Sequence, residues 1–163
     1  QERIRQVEQL WEGARGACLI VPNFSIGAVL MMRFAELAAP HFDTVEVIER
    51  HRAAKPDAPS GTALQTAARI AQAGGKSTPK QHELAPGALG GDVDGVRVHS
   101  LRLAGLLAHQ EVALTNDGEQ FSLVHQSTSY GSFAAGAITA VRRVADLAGV
   151  AVGLDAVLGR DAT

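Results

Sequence analysis

His51, Arg52 and Lys55 precede a proline-braced Ser-Gly-Thr in the stretch "HRAAKPDAPSGT", residues 51–62. Ser60-Gly61-Thr62 reads as the opening of a helix, whose first turn offers backbone N–H groups and the positive end of the helix dipole. Gly61 lets an anion approach that backbone closely, and the hydroxyls of Ser60 and Thr62 add donors. Lys55 brings a full positive charge to the same place. Pro56 and Pro59 stiffen the segment and bias the residues before them towards extended geometry. Histidine is the side chain suited to proton transfer near neutral pH, and His51 stands four residues before Lys55. An anion cradle beside a proton donor suits the reduction of an unsaturated carboxylic acid. The carboxylate fixes the pose, and the acid delivers a proton where hydride addition leaves negative charge. Each residue also has a plainer reading. Ser60 and Thr62 can serve only as caps, Lys55 can be a solvated loop lysine, and His51 can be a strand-end histidine with no role.

The elements that must position these residues follow from periodicity. "TVEVIERH" alternates Val45 and Val47 with Glu46, so it reads as a strand whose end delivers His51. Ser60 caps "GTALQTAARIAQA", with Leu64, Ala67, Ala68 and Ala71 as its apolar stripe. Upstream, Ile4, Val7, Leu10 and Trp11 recur at helical spacing and Gly13 and Gly16 end that helix. "ACLIVPN" is a continuous apolar run, the pattern of a buried parallel strand. Ser25 caps "SIGAVLMMRFAELAAPHF", a helix expected to be buried on most sides. Residues 75–95 carry Gly, Pro, Lys and Asp without a period and read as a long loop. "VRVHSLRL", "AHQEVALT" and "QFSLVHQS" read as strands, with "NDGE" a hairpin turn between the last two. "SFAAGAITAVRRVADLA" is a helix and "GLDAVLG" a short final one. The order predicts a mixed β-sheet with packed helices, an α/β or α+β fold.

Composition narrows the function classes. At 163 residues, 46% of them hydrophobic, and with a net charge of −2, the chain reads as an ordinary globular domain. Fifteen basic against seventeen acidic residues leave no basic excess for nucleic acid. No apolar run approaches a membrane span, and "QERIRQVEQLWEG" is charged where a signal peptide would be apolar. Cys18, the single cysteine, reads as a reduced core residue, which excludes a disulfide framework or a Cys-rich metal site and fits the cytoplasm. The chain does not begin with Met and opens within a helix-like segment, so a segment upstream is expected.

"ERHRAAKPDAPSGTAL" resembles the signature of the 4-hydroxy-tetrahydrodipicolinate reductase (dihydrodipicolinate reductase) family, roughly E-x-H-H-x-x-K-x-D-A-P-S-G-T-A. Glu49, His51, Lys55, Asp57, Ala58, Pro59, Ser60, Gly61, Thr62 and Ala63 keep that pattern. "VPNFSIGA" is similar to the family's segment beside the nicotinamide. "LRLAGLLAHQEV" and "SFAAGAITAVRRV" resemble its later strands and return helix, so the likeness covers essentially the whole chain.

The resemblance implies reduction of a cyclic dicarboxylate by NADPH or NADH in lysine and diaminopimelate synthesis, without a metal and in a cytoplasmic homotetramer. It implies His51 as general acid and Lys55 as carboxylate binder. Arg52, Ser60, Gly61 and Thr62 would hold the substrate, and Pro22, Asn23 and Phe24 would lie at the cofactor. Residues 1–22 would end a Rossmann-type nucleotide-binding domain, 23–131 form the substrate and oligomerisation domain, and 132–163 return to the first. The Gly-rich phosphate loop is not in this sequence, since "GALGGDVDG" is no strand-turn-helix junction. The isolated chain is therefore expected to bind the dinucleotide poorly, and to expose apolar faces on Ile4, Val7 and Leu10 and in the 132–147 helix. Two positions depart from the family: Arg52 replaces its second histidine, and Tyr130 stands where it usually has arginine. Arg52 could clamp a carboxylate bidentately but cannot act as an acid or base. The alternatives are a non-catalytic dicarboxylate-binding or oligomerisation module, or an amine-forming dehydrogenase of similar plan.

Overall fold

The computed structural model describes residues 2–79 and 81–159. In chain order the elements are α1 (Glu2–Trp11), β1 (Ala17–Ile20), α2 (Ile26–Ala38), β2 (Thr44–Arg52) and α3 (Gly61–Gln72). There follow β3 (Gly91–Val93), β4 (Val96–Leu103), β5 (Ala108–Asn116), β6 (Glu119–Ser127), α4 (Ala134–Arg143) and β7 (Gly149–Val152). They divide into two compact units. One holds residues up to Val29 together with those from Tyr130 onward, and the other runs from Leu30 to Ser129.

The Leu30–Ser129 unit is built on a five-stranded sheet in the order β3-β4-β2-β5-β6. β2 at its centre runs parallel to β4 and antiparallel to β5. Because side chains alternate along a strand, Val45 and Val47 of β2 face the core. They pack there with Val96, Val98, Val112 and Leu114 of the neighbouring strands, and with Ala63, Ala67 and Ile70 of α3. The β5–β6 connection is the expected hairpin, turning at Asp117-Gly118, with Gly118 at φ +84°. The 75–95 segment is not wholly loop: Gly91–Val93 forms β3 and extends the sheet beyond β4.

The buried face of α3 is Ala63, Thr66, Ala67 and Ile70, whereas Leu64 is 41% exposed. The expected stripe was thus rotated by about one position, because the alanines of this helix make two adjacent faces almost equally apolar. Likewise α2 buries Ala28, Val29, Met31, Met32 and Ala35 but leaves Phe34 and Leu37 exposed, so it is less enclosed than expected.

In the other unit β1 pairs in parallel with β7, a strand that the sequence reading did not anticipate. Every residue of β1 is half-buried rather than buried, including the free thiol Cys18. Ser25 caps α2 as expected, its Oγ accepting the Ala28 N–H at 3.3 Å. Gly136 of α4 packs so closely on the chain after β1 that a Cβ there would lie 1.9 Å from the Phe24 carbonyl oxygen. "GLDAVLG" contains only a 3-10 turn over Leu154–Ala156. Leu10, Ile138 and Val141 are exposed in this unit, whereas Ile4 and Val7 are half-buried. No helix of the described residues is long and apolar enough to cross a membrane.

Candidate functional site

β2 carries its core-facing row one step beyond the apolar core. After Val45 and Val47 come Glu49, fully buried, and His51, whose side chain is 14% exposed. His51 stands opposite Arg102 in the parallel pairing with β4, and Glu49 opposite Ser100. The residues that follow, 53–60, lead from this strand end to α3.

Glu49 organises the surroundings. Its Oε2 accepts from His51 Nδ1 and, at 3.1 Å, from Arg102 Nη1. Its Oε1 accepts from Arg102 Nη2 at 2.9 Å and from the Ser60 backbone N–H at 3.3 Å. Burial pushes the Glu49 carboxyl up, but Arg102, Ser100 and His51 together outweigh it and hold the group below its ordinary value. Arg102 also donates to the Asp57 and Leu101 carbonyls.

Ser60 is buried and caps α3, its Oγ accepting the Ala63 N–H at 3.2 Å. Nothing lies within 4 Å of where a Cβ on Gly61 would sit, so the helix start is open to an approaching group at that point. Thr62 follows in the first turn, half-buried, and its carbonyl accepts from Thr66 Oγ1 at 2.8 Å. Behind it, Gln110 Nε2 donates to Thr66 Oγ1 at 2.7 Å, and Gln110 Oε1 is buried with no hydrogen-bond partner.

Lys55 is engaged by Asp57: Nζ lies 2.6 Å from both carboxylate oxygens. The hydrogen bond from Lys55 is the main reason the Asp57 carboxyl is held below its ordinary value, with its own backbone N–H next. Asp57 and Arg52 are exposed, so the cradle opens to solvent. A carboxylate arriving at Lys55 competes with Asp57 for the ammonium.

The structure therefore brings His51, Lys55, Ser60, Gly61 and Thr62 into one region of the second unit, with Arg52 at the end of β2. Pro22, Asn23 and Phe24 belong to the other unit, where they follow the carboxyl end of β1. There Asn23 Oδ1 accepts the Ser25 N–H at 2.8 Å, and Phe24 is half-buried. Tyr130, also in that unit, is 68% exposed and lies against Phe133. The sequence reading missed Arg102 as a member of the site. Its signal was present: Val96, Val98, Ser100 and Arg102 share one face of β4, and that apolar row ends in a charge. Among the described residues no group of three or more His, Cys, Asp or Glu side chains could hold a metal ion.

The arrangement combines a buried anion behind an imidazole, a lysine on a short loop and an open helix start, the parts needed to hold an anion and give it a proton. Residues 27–158 match the family described as "Dihydrodipicolinate reductase, C-terminus". The chain is 48% identical over 161 residues to the 4-hydroxy-tetrahydrodipicolinate reductase of Mycobacterium ulcerans (strain Agy99), covering 96% of this chain and 66% of that protein. It is 54% identical over 142 residues to the protein of the same name from Nocardia farcinica (strain IFM 10152), covering 84% of this chain and 57% of the relative. Among solved structures it resembles dipicolinate-bound dihydrodipicolinate reductase from Paenisporosarcina sp. TG-14. That likeness has a TM-score of 0.84 and 42% identity, over 97% of this chain and 61% of the other. The chain thus spans about two thirds or less of the length of these proteins, and it belongs to the dihydrodipicolinate reductase C-terminal family.

Proposed function

We propose that this chain carries the substrate site of a 4-hydroxy-tetrahydrodipicolinate reductase, acting in lysine and diaminopimelate synthesis in the cytoplasm. The substrate is a cyclic dicarboxylate. Lys55 and Arg52 pair with its carboxylates, and Ser60, Gly61 and Thr62 receive one of them at the start of α3. His51 gives the proton to the carbon left electron-rich. Residues 1–22 close a nucleotide-binding domain, 23–131 form the substrate and oligomerisation domain of a homotetramer, and 132–163 return to the first.

Pro22, Asn23 and Phe24 fit a nicotinamide neighbour. They leave the carboxyl end of a strand in a parallel pair, the position where open α/β sheets receive ligands. NADPH or NADH held there would supply the hydride. This chain's own residues hold the ring by its two carboxylates and deliver the proton.

The observation that carries the reading is the binding of His51 and the Ser60 N–H by one buried carboxylate, Glu49, beside the open Gly61 helix start and the Lys55–Asp57 pair. Calorimetric titration of pyridine-2,6-dicarboxylate, a stable mimic of the ring, tests it. We expect binding by the chain and at least about tenfold weaker binding by Lys55→Ala, the loss of a charge-assisted contact. Equal binding by both chains would remove Lys55 from the site.

A further inference from the structure

Glu49 occupies a place that packing alone would give to an apolar residue. It follows Val45 and Val47 on the core face of β2 and, like them, is 0% exposed. A well-packed hydrophobic side chain commonly replaces a buried ion pair with no loss of stability. The charge at this position is better explained by what it holds. Its two oxygens take His51 Nδ1, both terminal nitrogens of Arg102 and the Ser60 N–H. Arg102 extends the grip to the Asp57 carbonyl, in the residue whose carboxylate engages Lys55. One ion pair, its carboxylate buried and its guanidinium half-buried, thus connects the strand end bearing His51, the loop bearing Lys55 and the start of α3.

The consequence for the imidazole is specific. A carboxylate only accepts hydrogen bonds when ionised, so Nδ1 must carry the proton in its bond to Glu49. The neutral ring is then held as the Nδ1–H tautomer, whereas a free imidazole favours the Nε2–H form. Nε2 is left as the atom that takes up and gives away the transferable proton.

We propose that Glu49 and Arg102 are positioning residues: Glu49 fixes the tautomer and orientation of His51, and Arg102, paired with both Glu49 oxygens, keeps that carboxylate aimed. The proposal rests on the reading of His51 as the proton donor. A solvated histidine in the same place would need no such support.

The test is the imidazole ¹⁵N spectrum of this chain at alkaline pH, where ordinary imidazoles are neutral. The His51 signals are identified by their loss in His51→Gln. In the wild-type chain the Nδ1–H form should exceed the Nε2–H form by at least about tenfold, as a charge-assisted hydrogen bond requires. Glu49→Gln should bring the two forms to within a few-fold of each other, since an amide can either accept from or donate to Nδ1. Arg102→Lys, which keeps the positive charge, should retain the wild-type preference. A purely structural role for the pair would change stability and leave the tautomer of the folded chain untouched. A predominantly Nε2–H ring in the wild-type chain, or an undiminished Nδ1–H preference in Glu49→Gln, would overturn the proposal. Should Glu49→Gln not fold, Glu49→Asp, whose shorter carboxylate draws back from Nδ1, decides in its place by the same criterion. Failure of dicarboxylate binding with the Nδ1–H ring intact would strike the functional reading alone.

Discussion

Removing Arg102 should reveal what its pairing with the buried Glu49 contributes to stability. Glu49 has no solvent exposure, and Arg102 supplies two of its four hydrogen bonds described above, at 2.9 and 3.1 Å. Arg102→Met keeps most of the side-chain volume but leaves the carboxylate with His51, Ser100 and the Ser60 N–H as its remaining partners. Two charge-assisted bonds at about 1.5–3 kcal/mol each give about 3–6 kcal/mol. Breaking a buried pair from one side generally costs about 3–5 kcal/mol. For a chain of this size, 3–5 kcal/mol lowers Tm by about 6–20 °C. The double variant Glu49→Leu/Arg102→Met removes the charge as well as its partner and should recover most of that loss. Urea denaturation followed by circular dichroism measures all members of the cycle. Trp11, the only tryptophan, lies in the other unit, so circular dichroism is the more direct probe of this sheet. If the single substitution costs less than about 1 kcal/mol, or the double variant is less stable than Arg102→Met, the carboxylate is not held as the geometry requires.

Four further outcomes follow from the same geometry. Asp57→Asn frees Lys55 from a competing carboxylate and should tighten pyridine-2,6-dicarboxylate binding by up to about fivefold, the scale of an exposed ion pair; weaker binding in calorimetry would make Asp57 a ligand contact instead. Gly61→Ala has room for its Cβ and a better helix former, so thermal unfolding should show no loss of stability while calorimetry shows weaker dicarboxylate binding. Unchanged binding would mean that no ligand approaches that backbone. Gly136→Ala places a methyl group 1.9 Å from the Phe24 carbonyl oxygen, so it should cost at least about 1–3 kcal/mol in thermal unfolding. Acid should destabilise the chain in two stages measured by urea denaturation. Burial, with Arg50 acting on His109 and His109 acting on His125, holds both histidines below 6.5. The unfolded chain therefore binds protons first, and stability present above about pH 6.5 is lost as the pH falls through their lowered folded values. Glu49, also lowered, adds a second loss as the pH falls below 4.5 through its folded value. A flat stability between pH 7 and 5 would contradict the first stage.

Much of this protein is legible in its sequence because the relevant forces are local. Alternation of Val45 and Val47 is enough to define β2, and the strand's length alone carries His51 to its end. Ser60 caps α3 because a hydroxyl before a helical run satisfies an N–H of the first turn, and the family signature in 49–63 is contiguous. What the sequence left undecided depends on contacts between distant segments. Periodicity points to a face of α3 around Leu64, whereas packing selects Ala63, Ala67 and Ile70, since alanines define a helix face only through what lies opposite. β3 and β7 are short strands that pair with the edges of β4 and β1; β3 carries no pattern of its own, and the apolar run of β7 is only Val150-Ala151-Val152. Arg102 joins the site by standing opposite His51 in the β2–β4 register, a pairing fixed by the whole sheet. By itself, then, the sequence determined where the histidine, the lysine and the Ser-Gly-Thr of 51–62 stand along the chain. Only the tertiary structure decided that a buried carboxylate and an arginine 53 residues away would hold them. A charge can be kept in a core only where the fold brings its partner, and no local pattern specifies where that partner will come from.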